Sequence, residues 1–171
     1  MASYRKEKTI LAASIITSVV LVLKFVPRNK VRPAILSFLF KQVITWLFGL
    51  LVVEKNLIKY PYRALFKKTY KASFSFEFIV YPAFCILFNL YYPEKKNMWI
   101  KASYYFIHTS ILTGLEVLMV KYTKLIRYVK WKWYFSFITM WLSNYLSHIF
   151  YRWFFKIKKH PILPRKELDT P

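Results

Sequence analysis

Apolar residues run along this chain in five long stretches, residues 9–26, 33–53, 74–92, 99–120 and 134–155, separated by segments rich in Lys, Arg and Pro. Each stretch holds about 18 to 22 residues, and a helix of that length crosses a hydrocarbon core roughly 30 Å thick. The pattern predicts an all-α fold, a polytopic membrane helix bundle with five transmembrane helices in residues 1–155 and a basic, poorly ordered tail over 156–171. Two connections, 27–32 and 93–97, are short, polar and carry prolines, as tight turns between antiparallel helices do. The other two, 54–73 and 121–133, are longer and basic. An odd number of crossings puts both long connections on the side of the amino terminus and both short turns on the other.

Within 121–133, Tyr122, Leu125, Ile126, Val129 and Trp133 recur at three- and four-residue spacing, while Lys121, Lys124, Arg127, Lys130 and Lys132 fill the remaining arc. That spacing predicts an amphipathic helix at the membrane surface, or a basic extension of the fourth span. Residues 54–73 repeat the pattern with a break at Pro61, setting Leu65, Phe66 and Tyr70 against Arg63, Lys67, Lys68 and Lys71. Together these cations form a collar for anionic lipid head groups, each contributing about 1 kcal/mol near a charged surface. Lys and Arg nearly tie between the two sides, and the two basic connections tip the reading towards an amino terminus inside. Tyr91, Tyr92, Trp99, Tyr151 and Trp153 gather at one expected interface, with Tyr122, Tyr128, Trp131, Trp133 and Tyr134 at the other.

Composition narrows the class further. A chain that is 57% hydrophobic and 21% aromatic carries more apolar surface than a soluble fold of this size buries. A formal charge of +21 would point to nucleic acid in a soluble protein, but here the cations sit between apolar stretches and no nucleic-acid module accompanies them. The expected partners are therefore the bilayer and its anionic head groups, with another membrane protein or a second copy of the chain next, and no nucleic acid. Cys85 stands alone, so neither an intrachain disulfide nor a multi-thiolate metal site is expected. Arg5, Lys6 and Lys8 before an apolar run look like a signal peptide, yet Lys24, Phe25, Val26 and Pro27 follow instead of a small-residue cleavage site, and a retained anchor is expected.

Polar residues inside the apolar stretches carry the candidate chemistry, because an ionisable group in hydrocarbon must snorkel, pair or face a wet cavity. Counting ~1.5 Å per residue puts Lys41, His108 and His148 about 10 to 13 Å in from the short-turn side, and Glu77 and Glu116 about 6 Å in from the other. Asn144, His148 and Arg152 share one helical stripe, as do Ser37, Lys41, Thr45 and Gly49, and Thr109, Thr113 and Glu116 lie on a nearby arc. The candidate site is thus a polar seam of Lys41, Thr45, Glu77, His108, Thr113, Glu116, Asn144, His148 and Arg152. It reads either as hydrogen-bonded glue between helices or as a lining for an ion, proton or head group. No zinc-protease spacing occurs, and with only Gly49 and Gly114 the chain lacks phosphate loops and nucleophile elbows; no cofactor, metal or catalytic residue is expected. The functional expectation is a non-enzymatic membrane component that associates with lipid or protein, with a small transporter or channel component as the alternative.

Pro82 falls in the third stretch, where it removes a backbone donor and should disturb the helix. Around it, Phe76-Glu77-Phe78-Ile79-Val80-Tyr81-Pro82 leads to Asn89-Leu90-Tyr91-Tyr92-Pro93-Glu94-Lys95-Lys96-Asn97. Leu51-Val52-Val53-Glu54-Lys55 precedes these words and Tyr151-Arg152-Trp153-Phe154-Phe155 follows them. Over about residues 23–155 the chain resembles a family of small, uncharacterised multi-pass membrane proteins from spore-forming Gram-positive bacteria. The resemblance implies a bacterial cytoplasmic or spore membrane and no activity.

Overall fold

The computed structural model describes residues 4–64, 71 and 73–155, and over these the chain is all-helical apart from one short β pairing. Helix α1 covers Arg5–Phe25, a single 3₁₀ turn at Arg28–Lys30 leads into α2, Val31–Glu54, and strand β1 is Ile58–Lys59. A π-helical stretch, Phe76–Val80, continues into α3, Tyr81–Leu90; α4 is Met98–Tyr122, strand β2 is Arg127–Tyr128, and α5 is Trp133–Phe154. Two helical segments, Arg5–Phe25 and Arg28–Glu54, are long and apolar enough to cross a membrane, and Phe76–Leu90 is a shorter apolar helix. Helices α4 and α5, at 25 and 22 residues, have the length, but their lining of Ser, Thr, Asn, His and Glu lowers their hydropathy.

Local chemistry sets the helix ends. Asn56, with φ 51°, closes α2 in the left-handed region that asparagine tolerates. Its N–H bonds to Val53 O and that of Leu57 to Val52 O, the paired capping bonds of a Schellman end. Asn97 caps α4 by accepting a bond from the Ile100 N–H at 3.0 Å. Pro82 supplies no donor to the carbonyls of Glu77 and Phe78, one in π and one in α register, and α2 satisfies both. Thr45 Oγ1 donates to Glu77 O at 2.6 Å, and Gln42 Nε2 donates to Phe78 O at 3.2 Å. The proline therefore stitches α3 to α2.

The surface helix expected over 121–133 does not form. Helix α4 stops at Tyr122, Thr123 is extended, and after a bend the two residues of β2 pair with β1, Tyr128 opposite Ile58 and Arg127 opposite Lys59 in antiparallel register. Leu125 and Ile126, which the helical reading placed against lipid, are buried in a cluster with Leu11, Ile58, Phe76 and Val80. β-branched Thr123, Ile126 and Val129 favour an extended backbone, and the partner strand in the other long connection makes that backbone self-sufficient in hydrogen bonds. Helix is likewise absent around Pro61, where β1 lies. Lys67 and Lys68 of the expected collar, the Leu65, Phe66 and Tyr70 face and the tail 156–171 lie outside the described residues.

Both long connections meet the amino-terminal end of α1 at one end of the bundle. Lys6 Nζ donates to Tyr122 O at 3.0 Å, and buried Glu7 accepts the Lys124 N–H at 3.2 Å. At the opposite end, Tyr91 OH donates to Phe25 O at 2.7 Å, joining the two short turns, and Arg152 pairs with Glu94.

Burial runs opposite to the pattern of a soluble domain. Ser18, Ser37, Lys41, Glu77, Asn89, Thr109, Thr113, Glu116, Ser143, Asn144 and Ser147 are buried, while Ile16, Leu23, Leu39, Leu47, Trp99, Ile107, Ile138 and Leu142 stand exposed. In water that distribution would cost free energy on both sides.

Candidate functional site: a polar column with an internal cavity

Helix α5 carries the spine of the column. Its buried residues, Ser136, Ser143, Asn144, Ser147 and His148, recur at heptad-like spacing and face α2, α3 and α4. From Ser136 to Arg152 the stripe rises about 24 Å, most of the helix.

At the end with the long connections, Glu116 on α4 is held by hydroxyls. Its Oε1 accepts from Tyr128 at 2.6 Å and Ser136 at 2.6 Å, and its Oε2 accepts from Tyr81 at 3.0 Å. Trp131 Nε1 fixes the Ser136 hydroxyl from the other side at 2.8 Å. Burial and the adjoining Glu116 carboxylate push the Tyr128 pKa above its ordinary value, so this phenol stays a hydrogen-bond donor. Tyr128 and Trp131, expected as rings at a head-group level, therefore turn inward as partners of the column. Glu77 enters from the π-helical stretch and lays its carboxyl group against Gly49 of α2.

Two helical turns further in, Lys41 is buried, with Nζ donating to Ser143 Oγ and to Asn144 Oδ1, each at 2.7 Å. Among the described residues no carboxylate lies within ion-pair distance of it; the two ion pairs both belong to Glu94. A cavity of about 100 Å³ separates the Lys41 level from the carboxylate level. Its polar lining includes Lys41, Glu77, Glu116 and Asn144, and Tyr60 and Trp131 of the long connections stand at its outer end.

Beyond Lys41 the column is packed. Asn89 Nδ2 donates to Ser37 Oγ at 2.6 Å and Ser147 Oγ at 3.2 Å, and Cys85 Sγ lies 3.0 Å from Ser147 Oγ. His148 Nδ1 is 3.3 Å from Asn89 Oδ1, its Nε2 is 3.5 Å from Glu94, and Arg152 donates to the same carboxylate.

The structure thus brings Lys41, Thr45, Glu77, Glu116 and Asn144 to one cavity and puts His148 and Arg152 in a separate cluster around Glu94. His108 joins neither. It sits among the rings of Phe84, Phe88 and Tyr104, with both ring nitrogens buried and no hydrogen-bond partner among the described residues. Among the described residues Thr113 makes one long side-chain contact, 3.6 Å, to Met140 Sδ. Of the collar, Lys71, Lys121, Lys124, Arg127, Lys130 and Lys132 are exposed and Arg63 is half-buried. Sequence reasoning passed over Ser136, Ser143, Tyr81, Asn89 and Glu94. The serines were detectable as extra members of the α5 stripe, whereas Tyr81 and Glu94 lie where only packing brings them to the site. Comparisons with protein-family models, with curated proteins and with solved structures found no match.

Proposed function

We propose that this chain is a five-span integral membrane protein, and that its polar column serves the passage or coupling of a small polar solute, without bond chemistry. The observation that carries the reading is the cavity: a buried ammonium and two buried carboxylates line one space of about 100 Å³ inside a shell of exposed apolar side chains. Ionisable groups in hydrocarbon are costly and mark pathways when they face a cavity rather than one another. Packing alone would favour direct pairing of Lys41 with Glu77 or Glu116, and the ammonium instead takes two neutral acceptors. The exposed cations of 121–132 fit a second role in the same protein, holding that end of the bundle at anionic lipid head groups. The site of action proposed with it is a bacterial cytoplasmic or spore membrane, as the resemblance read from the sequence implies.

Hydration of the cavity tests the reading. In a Cys85→Ala background, Thr45→Cys and Thr139→Cys, both on the cavity wall, are expected to react with a water-soluble thiol reagent in vesicles, while Ile107→Cys on the apolar exterior stays unlabelled. Protection at both cavity positions would show a dry interior and sink the proposal.

A further inference from the structure

The protein answers the charges at one end of the cavity and not at the other. At the carboxylate end Glu116 accepts hydrogen bonds from Tyr128, Ser136 and Tyr81, and Glu77 has a partner of its own. At the inner end Lys41 Nζ carries three N–H donors and gives two of them, at 2.7 Å each, to Ser143 Oγ and Asn144 Oδ1. An ammonium accepts nothing, so the amide oxygen of Asn144 must face it and the amide nitrogen must face elsewhere. That nitrogen, Asn144 Nδ2, belongs to a side chain 1% exposed that lines the cavity, and it has no acceptor among the described residues. A donor buried in that state costs free energy until something accepts from it.

The positive charge is also unanswered at contact distance, because among the described residues no carboxylate pairs with Lys41. Ser143, which holds Lys41, and Ser136, which holds Glu116, stand seven residues apart on α5, about 10 Å along the axis. Charge interactions fall off with distance, so an ion touching the ammonium at about 3 Å feels it roughly three times as strongly as it feels the Glu116 carboxylate.

We propose that the Lys41 end of this cavity binds one small monovalent anion, of halide or nitrate size, which accepts from Lys41 Nζ and Asn144 Nδ2 together. The assignment rests on the solute-handling reading above and names the class of solute. Water could accept from both donors but would leave the ammonium without a counter-charge inside hydrocarbon. A cation would meet donors only. A divalent anion would bring one negative charge more than Lys41 cancels. The cavity, about 100 Å³, exceeds the roughly 30 Å³ that one water occupies, so a small anion fits with part of its hydration shell.

Thermal unfolding of the purified full-length protein in detergent micelles, at constant sodium and ionic strength with gluconate exchanged for chloride, bromide or nitrate, tests the assignment. Replacing gluconate with about 300 mM of a small anion is expected to raise the midpoint by at least about 2 °C, saturably and with a Kd below about 100 mM. Asn144→Asp removes the amide donor and gives Lys41 a counter-charge of its own, so the anion-dependent shift should vanish while stability in gluconate is kept or raised. Lys41→Met, which removes the charge, should abolish the shift as well, whereas Lys96→Gln, at an exposed cation, should leave it unchanged. Either column variant decides the matter should the other not fold. No saturable shift in the unaltered protein, or a shift undiminished in Asn144→Asp or Lys41→Met, would overturn the proposal, the latter by placing the anion on the basic surface. A cavity that reacts with the thiol reagent in a protein whose unfolding ignores the anion would remove the anion alone and leave the hydrated interior standing.

Discussion

Replacing Asn144 with Leu is expected to destabilise the bundle more than any other single change in the column. The substitution removes one of two acceptors from a buried ammonium and leaves a bulky apolar group against it. Hydrogen bonds to charged groups contribute about 1.5 to 3 kcal/mol, and an underpartnered buried charge sits at or above the top of that range. The diagnostic result comes from the double variant. If the cost arises from Lys41, then Lys41→Met in the Asn144→Leu background restores most of the lost stability, because an apolar pair then replaces a strained polar one. Thermal unfolding in detergent for both single variants and the double completes the cycle. Additive losses would mean that the 2.7 Å contact between Lys41 and Asn144 contributes nothing.

At one of the two glycines a Cβ would displace a neighbouring side chain, and at the other it would meet nothing. A Cβ at Gly49 would overlap the Glu77 carboxyl group, whereas nothing lies within 4 Å of a Cβ at Gly114. Gly49→Ala should therefore cost about 1 to 3 kcal/mol through overpacking, while Gly114→Ala should gain up to about 1 kcal/mol of helix propensity. Glu77→Ala added to Gly49→Ala opens the space again and should recover stability. Equal tolerance of alanine at the two glycines would mean that Glu77 does not occupy the groove beside α2.

The contrast between the glycines shows what the sequence could and could not disclose. Periodicity predicts that Ser37, Lys41, Thr45 and Gly49 share a stripe, since a spacing of four is a property of the helix itself. That Gly49 receives a carboxylate depends on the π-helical stretch before Pro82, a change of register that α2 side chains complete and that no spacing rule on α3 alone contains. The helical phase of α5 was legible through Asn144, His148 and Arg152. Depth counting also put Lys41, His108 and His148 at one level, but level is not azimuth, and the structure turns the three side chains into three different surroundings. The failed prediction over 121–133 has a related cause. Apolar residues at Leu125, Ile126 and Val129 satisfy a helical template as well as an extended one, and the competitor that decided between them, Ile58–Lys59, lies far away in sequence. Short strands that pair across long separations are invisible to a local pattern.

The central claim is that hydrocarbon surrounds all five helices, including α4 and α5, whose polar lining lowers their hydropathy. Sidedness of single cysteines decides it. In a Cys85→Ala background, Asn29→Cys, Asn56→Cys, Lys95→Cys and Lys130→Cys are probed in sealed, oriented vesicles with a membrane-impermeant thiol reagent. Five crossings predict that positions 29 and 95 label together from one face and positions 56 and 130 together from the other. If only α1 and α2 crossed, position 95 would label with 56 and 130, and that result would contradict the account.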